Sequence, residues 1–283
     1  MKIALGTVQF GLDYGIANRN GRLNEDAIRA VLDLSSQTEI HTLDTAKAYG
    51  KSEEIIGTYR ARNPSTSWHI ITKIRDKKNI LDQIHDSVLK LRSQPIDVLA
   101  HSADLFLTKN FQLGVQLAKE KKLTRKLGVS LYCENEIHQV LNADIKPDII
   151  QLPLNILDTR LYHSGVLTIL QNENIDIHVR SVFLQGMFYL EEWELKNRFS
   201  DAFPYLQQLI TIAKDSNLTL AELSLLWVVS LKEVGKVIIG VDNAEQLQFH
   251  ISTLGKRVDS DVFDKALSIQ YRDEKTLNPS LWQ

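Results

Sequence analysis

Four side chains of different chemistry lie within or just behind short apolar runs: Asp44, Tyr49, Lys73 and His101. Asp44 opens the stretch Asp44-Thr45-Ala46-Lys47-Ala48-Tyr49-Gly50, Lys73 sits in Ile71-Thr72-Lys73-Ile74, and His101 follows Val98-Leu99-Ala100. Each alone has an ordinary structural use, as a turn or cap residue, loop packing or a satisfied rim histidine. Lys73 is harder to explain that way, because an unpaired ammonium in apolar surroundings is costly; it wants a carboxylate, and Asp44 is the leading candidate. Together the four make a proton-transfer set. A phenol with its ordinary pKa near ~10 donates reluctantly at neutral pH. A neighbouring cation favours the phenolate, so Lys73 beside Tyr49 would make the phenol a usable general acid, with Asp44 holding the lysine.

That set needs strands to carry it. Val-, Ile- and Leu-rich runs alternate with amphipathic stretches of helical period, the pattern of β-α units around a parallel sheet. Strands are expected at residues 2–6, 40–43, 69–74, 96–100, 126–130, 148–152, 175–181 and 236–239. Helices are expected at 24–37, 52–60, 79–91, 110–121, 134–141, 165–171, 202–216, 220–230, 244–254 and 260–269, and the tail from 272 has no clear periodicity. Ser52 followed by Glu53 and Glu54 suits a helix start. Eight such units in 283 residues predict an α/β fold, a (β/α)8 TIM barrel forming a single domain over residues 1–283. The competing open doubly wound sheet would carry a glycine fingerprint, and Gly6-Thr7-Val8-Gln9-Phe10-Gly11 is not G-x-G-x-x-G. In a barrel, chemistry sits at the C-terminal strand ends, where Asp44, Lys73 and His101 fall on successive strands.

Composition sets the outer bounds. A balance of 33 basic and 35 acidic residues gives no reason to expect a nucleic-acid or membrane partner. The basic run at 119–126 reads as a solvated helix end. The single cysteine, Cys133, cannot form an internal disulfide, which fits a reducing compartment. The N-terminal apolar run is too short for a signal peptide, and a cytoplasmic location is expected. No metal site is expected: the eight histidines include no His-x-His pair, and Lys73 would repel a metal.

The run Leu43-Asp44-Thr45-Ala46-Lys47-Ala48-Tyr49-Gly50-Lys51-Ser52-Glu53 resembles the signature of the aldo-keto reductase family, and Thr72-Lys73 and His101 resemble that family's next two catalytic positions. The resemblance implies reduction of an aldehyde or ketone, a small-molecule carbonyl substrate, with NADP or NAD as cofactor. Hydride would pass to the carbonyl carbon, Tyr49 would protonate the oxygen, and His101 would orient or polarise the carbonyl. It further implies Ser130 and Gln151 as partners of the nicotinamide carboxamide. Arg180 would stack on the ring where many relatives have an aromatic residue, and Ser181, Phe183, Gln185 and Gly186 would line the pyrophosphate loop. Gly240, Asn243 and Gln246 would sit at the adenosine end.

Besides Arg180, two departures from the family's pattern stand out. Leu131 follows Ser130 where many relatives have Asn, so a carboxamide contact is lost or supplied elsewhere. Residues 240–246 contain no Lys or Arg to clamp a 2′-phosphate but do contain Asp242 and Glu245, which predicts weak NADP selectivity or NAD use. Tyr14, Trp193 and Trp282 are candidate pocket walls, and an aromatic wall would suit a sugar ring or aromatic carbonyl. Residues 6–15 and 180–186 resemble family members associated with sugar metabolism or surface-polysaccharide assembly. Two other readings stay open: a cofactor-binding sensor or subunit on the same fold, and a metal-dependent barrel hydrolase.

Overall fold

The structure is a computed structural model that describes residues 1–282. Its strands are β1 (Ile3–Gly6), β2 (Thr42–Asp44), β3 (His69–Ile74), β4 (Ile96–Ala100), β5 (Thr124–Ser130), β6 (Ile149–Pro153), β7 (Asp176–Arg180) and β8 (Val234–Gly240). They pair in parallel in chain order, and β8 closes on β1, giving the expected eight-stranded barrel with helices outside.

Side chains alternate along each strand. Ile70, Val98, Val129, Ile150, Val179 and Val237 point outward into the main core shared with the helices. Their neighbours point inward. Ile71, Leu99 and Ile149 form a separate apolar layer within the barrel. Gly128 leaves the room this layer needs: a Cβ there would lie 2.8 Å from the Leu99 side chain and 2.7 Å from the Ile149 carbonyl oxygen. Two residues further along their strands, Lys73 and Gln151 stand above it. Two residues earlier, His69 and Asp97 pair beneath it, joined by a Lys126–Asp176 pair at 3.1 Å. The interior is therefore polar at both ends and dry in the middle.

The differences from expectation are local. β2 begins two residues later and takes in Asp44, because Asp44 pairs with Gly6 and Ile71 in the ladder. β5 and β8 start earlier, at Thr124 and Val234, through charged residues that a hydrophobicity pattern ends on. Helices Val8–Gly11, Ala103–Phe106 and Arg160–His163 are single turns, too short to display a period. For the same reason the tail gave no signal, although it holds a helix at Glu274–Leu277 and a 3-10 turn at Pro279–Leu281. The insertion after β7 opens with a kinked 3-10 segment, Leu184–Tyr189, followed by helix Glu192–Arg198. No helix among the described residues is long and apolar enough to cross a membrane.

Leu99 is fully buried in the small inner layer. Leu99→Ala should lower unfolding free energy by about 2–5 kcal/mol, as core truncations of this kind do. Urea denaturation checks it, and a loss below about 1 kcal/mol would mean that the layer closes over the gap.

Candidate active site

The exit of β2 is held by a chain of buried hydroxyls. Thr45 Oγ1 donates to Ser52 Oγ at 3.0 Å, Ser52 Oγ to Thr7 Oγ1 at 2.9 Å, and Thr7 Oγ1 to the Asp44 carbonyl at 3.0 Å. Ser52 does begin its helix, Ser52–Arg62, but its hydroxyl is spent inside the fold and not as a cap. Buried Glu53 accepts from Thr72 Oγ1 at 2.6 Å, tying that helix to β3. Gly50 has φ of +54°, and a Cβ on Gly11 would lie 1.8 Å from the Tyr49 carbonyl oxygen. Two glycines thus let the loops after β1 and β2 touch, and that contact sets the backbone on which Tyr49 stands.

At the centre, Lys73 Nζ donates to Asp44 Oδ1 at 2.5 Å and to the Thr45 carbonyl at 2.9 Å. Gln151 Nε2 donates to Asp44 Oδ2 at 2.9 Å, so both carboxylate oxygens are used. Lys73 and Asp44 are only 2% and 3% exposed, and a buried charge is tolerated only when paired in this way. Burial works against the charged lysine. The Asp44 carboxylate, by charge and by hydrogen bond, outweighs it and holds the ammonium above its ordinary range. The stability this contributes is complete below pH about 10.4 and is lost as pH rises through the raised value. Lys73 Nζ is 5.3 Å from the Tyr49 ring centroid.

His101 follows β4 and is brought down to about 4, first by burial and then by the charges of Lys73, Arg180 and Arg75. Its imidazole is neutral at physiological pH. Its buried Nδ1 has no hydrogen-bond partner among the described residues.

Asp44, Tyr49, Lys73, His101, Ser130, Gln151, Arg180, Ser181, Phe183, Gln185, Gly186, Gly240 and Gln246 all border one cavity of about 470 Å³ at the C-terminal end of the barrel. Of the residues expected at the site, Asn243 stands apart. Its side chain caps helix Ala244–Thr253 by accepting from the Gln246 amide at 2.7 Å. Asn243 borders a side pocket that shares Ala17, Asn18, Asp242 and Gln246 with the main cavity. Gln246 is partly committed as well, its Oε1 accepting from the Asp242 amide at 2.7 Å.

Arg180 lies over the Tyr132 ring, 4.1 Å from its centroid. Its Nε donates to Ser130 Oγ at 3.2 Å, Nη1 to Ser181 Oγ at 3.2 Å, and Nη2 to the Leu131 carbonyl at 3.3 Å. Leu131 itself is fully buried, so its side chain makes no replacement for an asparagine there.

Of the candidate walls, Tyr14 borders the cavity. The tail contributes Pro279 and Ser280 in place of Trp282, which packs on Phe199 with ring centroids 5.0 Å apart. Trp193 is 66% exposed and is not among the lining residues.

Sequence reading missed Thr7, Gln9, Asn18, Tyr132 and Arg19, all of which border the cavity or the side pocket. Only the Gly-rich opening before Tyr14 hinted at the first two. Arg19 is paired with Glu194 across the mouth, and the Ile16 amide donates to the Gln185 carbonyl at 3.0 Å, so the loops after β1 and β7 meet.

Comparison with known proteins agrees with this fold. A sequence model of the Aldo/keto reductase family matches residues 2–270. No curated protein matches the sequence. An aldo-keto reductase from Bacillus halodurans, solved in its holo form, superposes with a TM-score of 0.75 at 18% identity, covering 95% of this chain and 92% of that one. A chain from Pseudomonas aeruginosa classed with the aldo-keto reductases superposes with a TM-score of 0.66 at 19% identity, covering 89% of each.

The buried pair makes a stability prediction. Asp44→Leu leaves Lys73 buried without its carboxylate and should cost about 3–5 kcal/mol. The double variant Asp44→Leu, Lys73→Met should recover more than half of that loss in the same denaturation experiment. A double variant no more stable than the single one would show that the two are not energetically coupled.

Proposed function

This chain belongs to the aldo/keto reductase family, and we propose that it uses a nicotinamide cofactor to reduce an aldehyde or ketone to an alcohol, with Tyr49 as general acid. The observation that carries this reading is the buried Asp44–Lys73 pair with the Tyr49 ring 5.3 Å from the ammonium, in one cavity with His101.

The residues present fit a dinucleotide. Ser181, Leu184, Gln185 and Gly186 all have positive φ, so the loop after β7 turns back tightly beside the cavity, with the Leu184 and Gly186 N–H groups donating to the Ser181 and Phe183 carbonyls. A Cβ at Gly186 would come within 3.3 Å of Ala17, and one at Gly240 within 2.6 Å of the Gln9 side chain, whose buried Oε1 has no partner among the described residues. Ser130 Oγ and the uncommitted Oε1 of Gln151 would hold the carboxamide. The pyrophosphate would lie on residues 181–186 and the adenosine end on Gly240 and Gln246, with Asn243 reached only through the side pocket.

When bound in reduced form, the cofactor supplies a hydride to the carbonyl carbon. Tyr49 gives its hydroxyl proton to the carbonyl oxygen, and the nearby ammonium of Lys73 stabilises the phenolate left behind. Asp44 keeps that ammonium in place through Oδ1. Neutral His101 can present one N–H to the same oxygen without bringing a second positive charge. Tyr14, another phenol bordering the cavity, is pushed up to about 12 by burial and by Tyr49, which makes it a poor donor.

Cofactor choice follows from charge at the far end. Asp242 borders both the cavity and the side pocket, and residues 240–246 hold no cation. The one arginine bordering the side pocket among the described residues, Arg19, is paired with the Glu194 carboxylate. A 2′-phosphate would have to compete with that partner.

Tyr49→Phe should lower kcat by about 10²–10⁴-fold and leave cofactor affinity within about threefold, measured by fluorescence titration beside turnover of an aldehyde panel. Normal turnover would remove Tyr49 from the mechanism. Titrated in parallel, NADPH should bind less than about a hundredfold more tightly than NADH, a gap of roughly 2.7 kcal/mol. A larger preference would mean that Arg19 leaves Glu194 to hold the phosphate.

A further inference from the structure

Arg180 is an unusual resident of the cavity. It borders the same space as Tyr49 and His101, yet its protein acceptors are two hydroxyls and a carbonyl, all uncharged. No carboxylate lies within ion-pair distance of it among the described residues. The two acids that border the cavity are accounted for elsewhere. Asp44 gives one oxygen to Lys73 and the other to Gln151. Asp242 lies just past β8, beside Gln9, where burial raises it above the ordinary carboxylate range.

The guanidinium is also held in place. Tyr132 supports one face, and three of its N–H groups are used, one on each nitrogen. Each terminal nitrogen carries two N–H groups, so one on each is left for an outside acceptor. Its charge is felt across the site, since Lys73, Arg180 and Arg75 all help to keep His101 neutral. With Lys73 paired to Asp44, Arg180 is the one Lys or Arg lining the cavity, among the described residues, that has no carboxylate partner. A partly enclosed cation without a counterion is an unfavourable arrangement unless a ligand completes it.

We propose that Arg180 is a specificity-determining residue that seats an anionic group, carboxylate or phosphate, carried by the carbonyl substrate. This rests on the reductase reading above and narrows its substrate class to acidic aldehydes or ketones. Tyr132 and Ser130 act as positioning residues, because they fix the plane and the reach of the guanidinium. A fork of N–H donors matches the paired oxygens of a carboxylate or phosphate, and a lysine ammonium in the same place would not reproduce it.

The test pairs substrates that differ only in the anion: succinic semialdehyde against butanal for a carboxylate, and glyceraldehyde 3-phosphate against glyceraldehyde for a phosphate. The wild-type protein should favour the acidic member of one pair by at least about tenfold in kcat/KM, and the favoured pair names the anion. Arg180→Gln should collapse that ratio towards one, and Arg180→Lys should restore it only in part. In parallel, calorimetric titration of succinate and of inorganic phosphate into the cofactor-loaded protein should show saturable binding of one of them, weakened at least about tenfold in Arg180→Gln. A wild-type ratio near one, or a ratio unchanged by Arg180→Gln, overturns the proposal. So does a variant in which only NADH affinity falls, because the guanidinium would then serve the cofactor pyrophosphate. Arginine-dependent anion binding without turnover of any aldehyde would leave the anion seat standing and defeat the reductase reading. Turnover of neutral aldehydes with no effect of the anion would do the reverse.

Discussion

The buried ion pair between Lys73 and Asp44 is the constraint around which the active end of the barrel is arranged. An ammonium at 2% exposure survives only if its desolvation is offset at close range. The carboxylate doing so is satisfied on both oxygens, by Lys73 and by Gln151. That ties β2, β3 and β6 together through side chains alone. It also acts on its surroundings: His101 is kept neutral first by burial and then by the Lys73 charge, and the Tyr49 ring centroid lies 5.3 Å from that ammonium. Beneath the pair, the dry layer of Ile71, Leu99 and Ile149 keeps water from reaching it from the other end.

The polar residues around the pair divide into those that build and those that face the cavity. Thr45, Ser52 and Glu53 belong to the same conspicuous stretch as Asp44 and Tyr49, yet all three are buried and spend their polar atoms inside the fold. They are framing for the β2 exit, and their chemistry is hydrogen bonding between β1, β2, β3 and the following helix. Tyr49 and Arg180 are only partly buried and line the open space.

The mouth is shaped by loops far apart in the chain. The loop after β1 lies against the 3-10 segment after β7 through the Ile16–Gln185 hydrogen bond, and against the helix Glu192–Arg198 through the Arg19–Glu194 pair. Together they bridge the top of β8, which runs between β7 and β1 in the barrel. A long ligand entering along residues 181–186 would pass beneath that bridge towards Asp242. The electrostatics differ along this path, with an uncompensated guanidinium near Tyr49 and a carboxylate at the β8 end.

The sequence by itself determined the architecture and the identity of the central set. Alternation of short Val- and Ile-rich runs with helical periods is a local property, since it arises from which faces each segment buries. Asp44, Lys73 and His101 were legible because they interrupt or follow those runs, where a polar residue has no packing role. Single-turn helices such as Ala103–Phe106, and strand residues lying ahead of a charged one, such as Val234 before Lys236, were not legible, because neither leaves a hydrophobic period. What only the tertiary structure decided is which polar residues share space. Arg180 could be read as a ring-stacking substitute from its position, but that its neighbours are Tyr132, Ser130 and Ser181, with no acid among them, depends on how β5 and β7 are brought together around β6. Likewise, Arg19 meets Glu194 and the side pocket from 175 residues away. Charge compensation is a property of distance in space, and a linear pattern carries no record of it until the barrel closes.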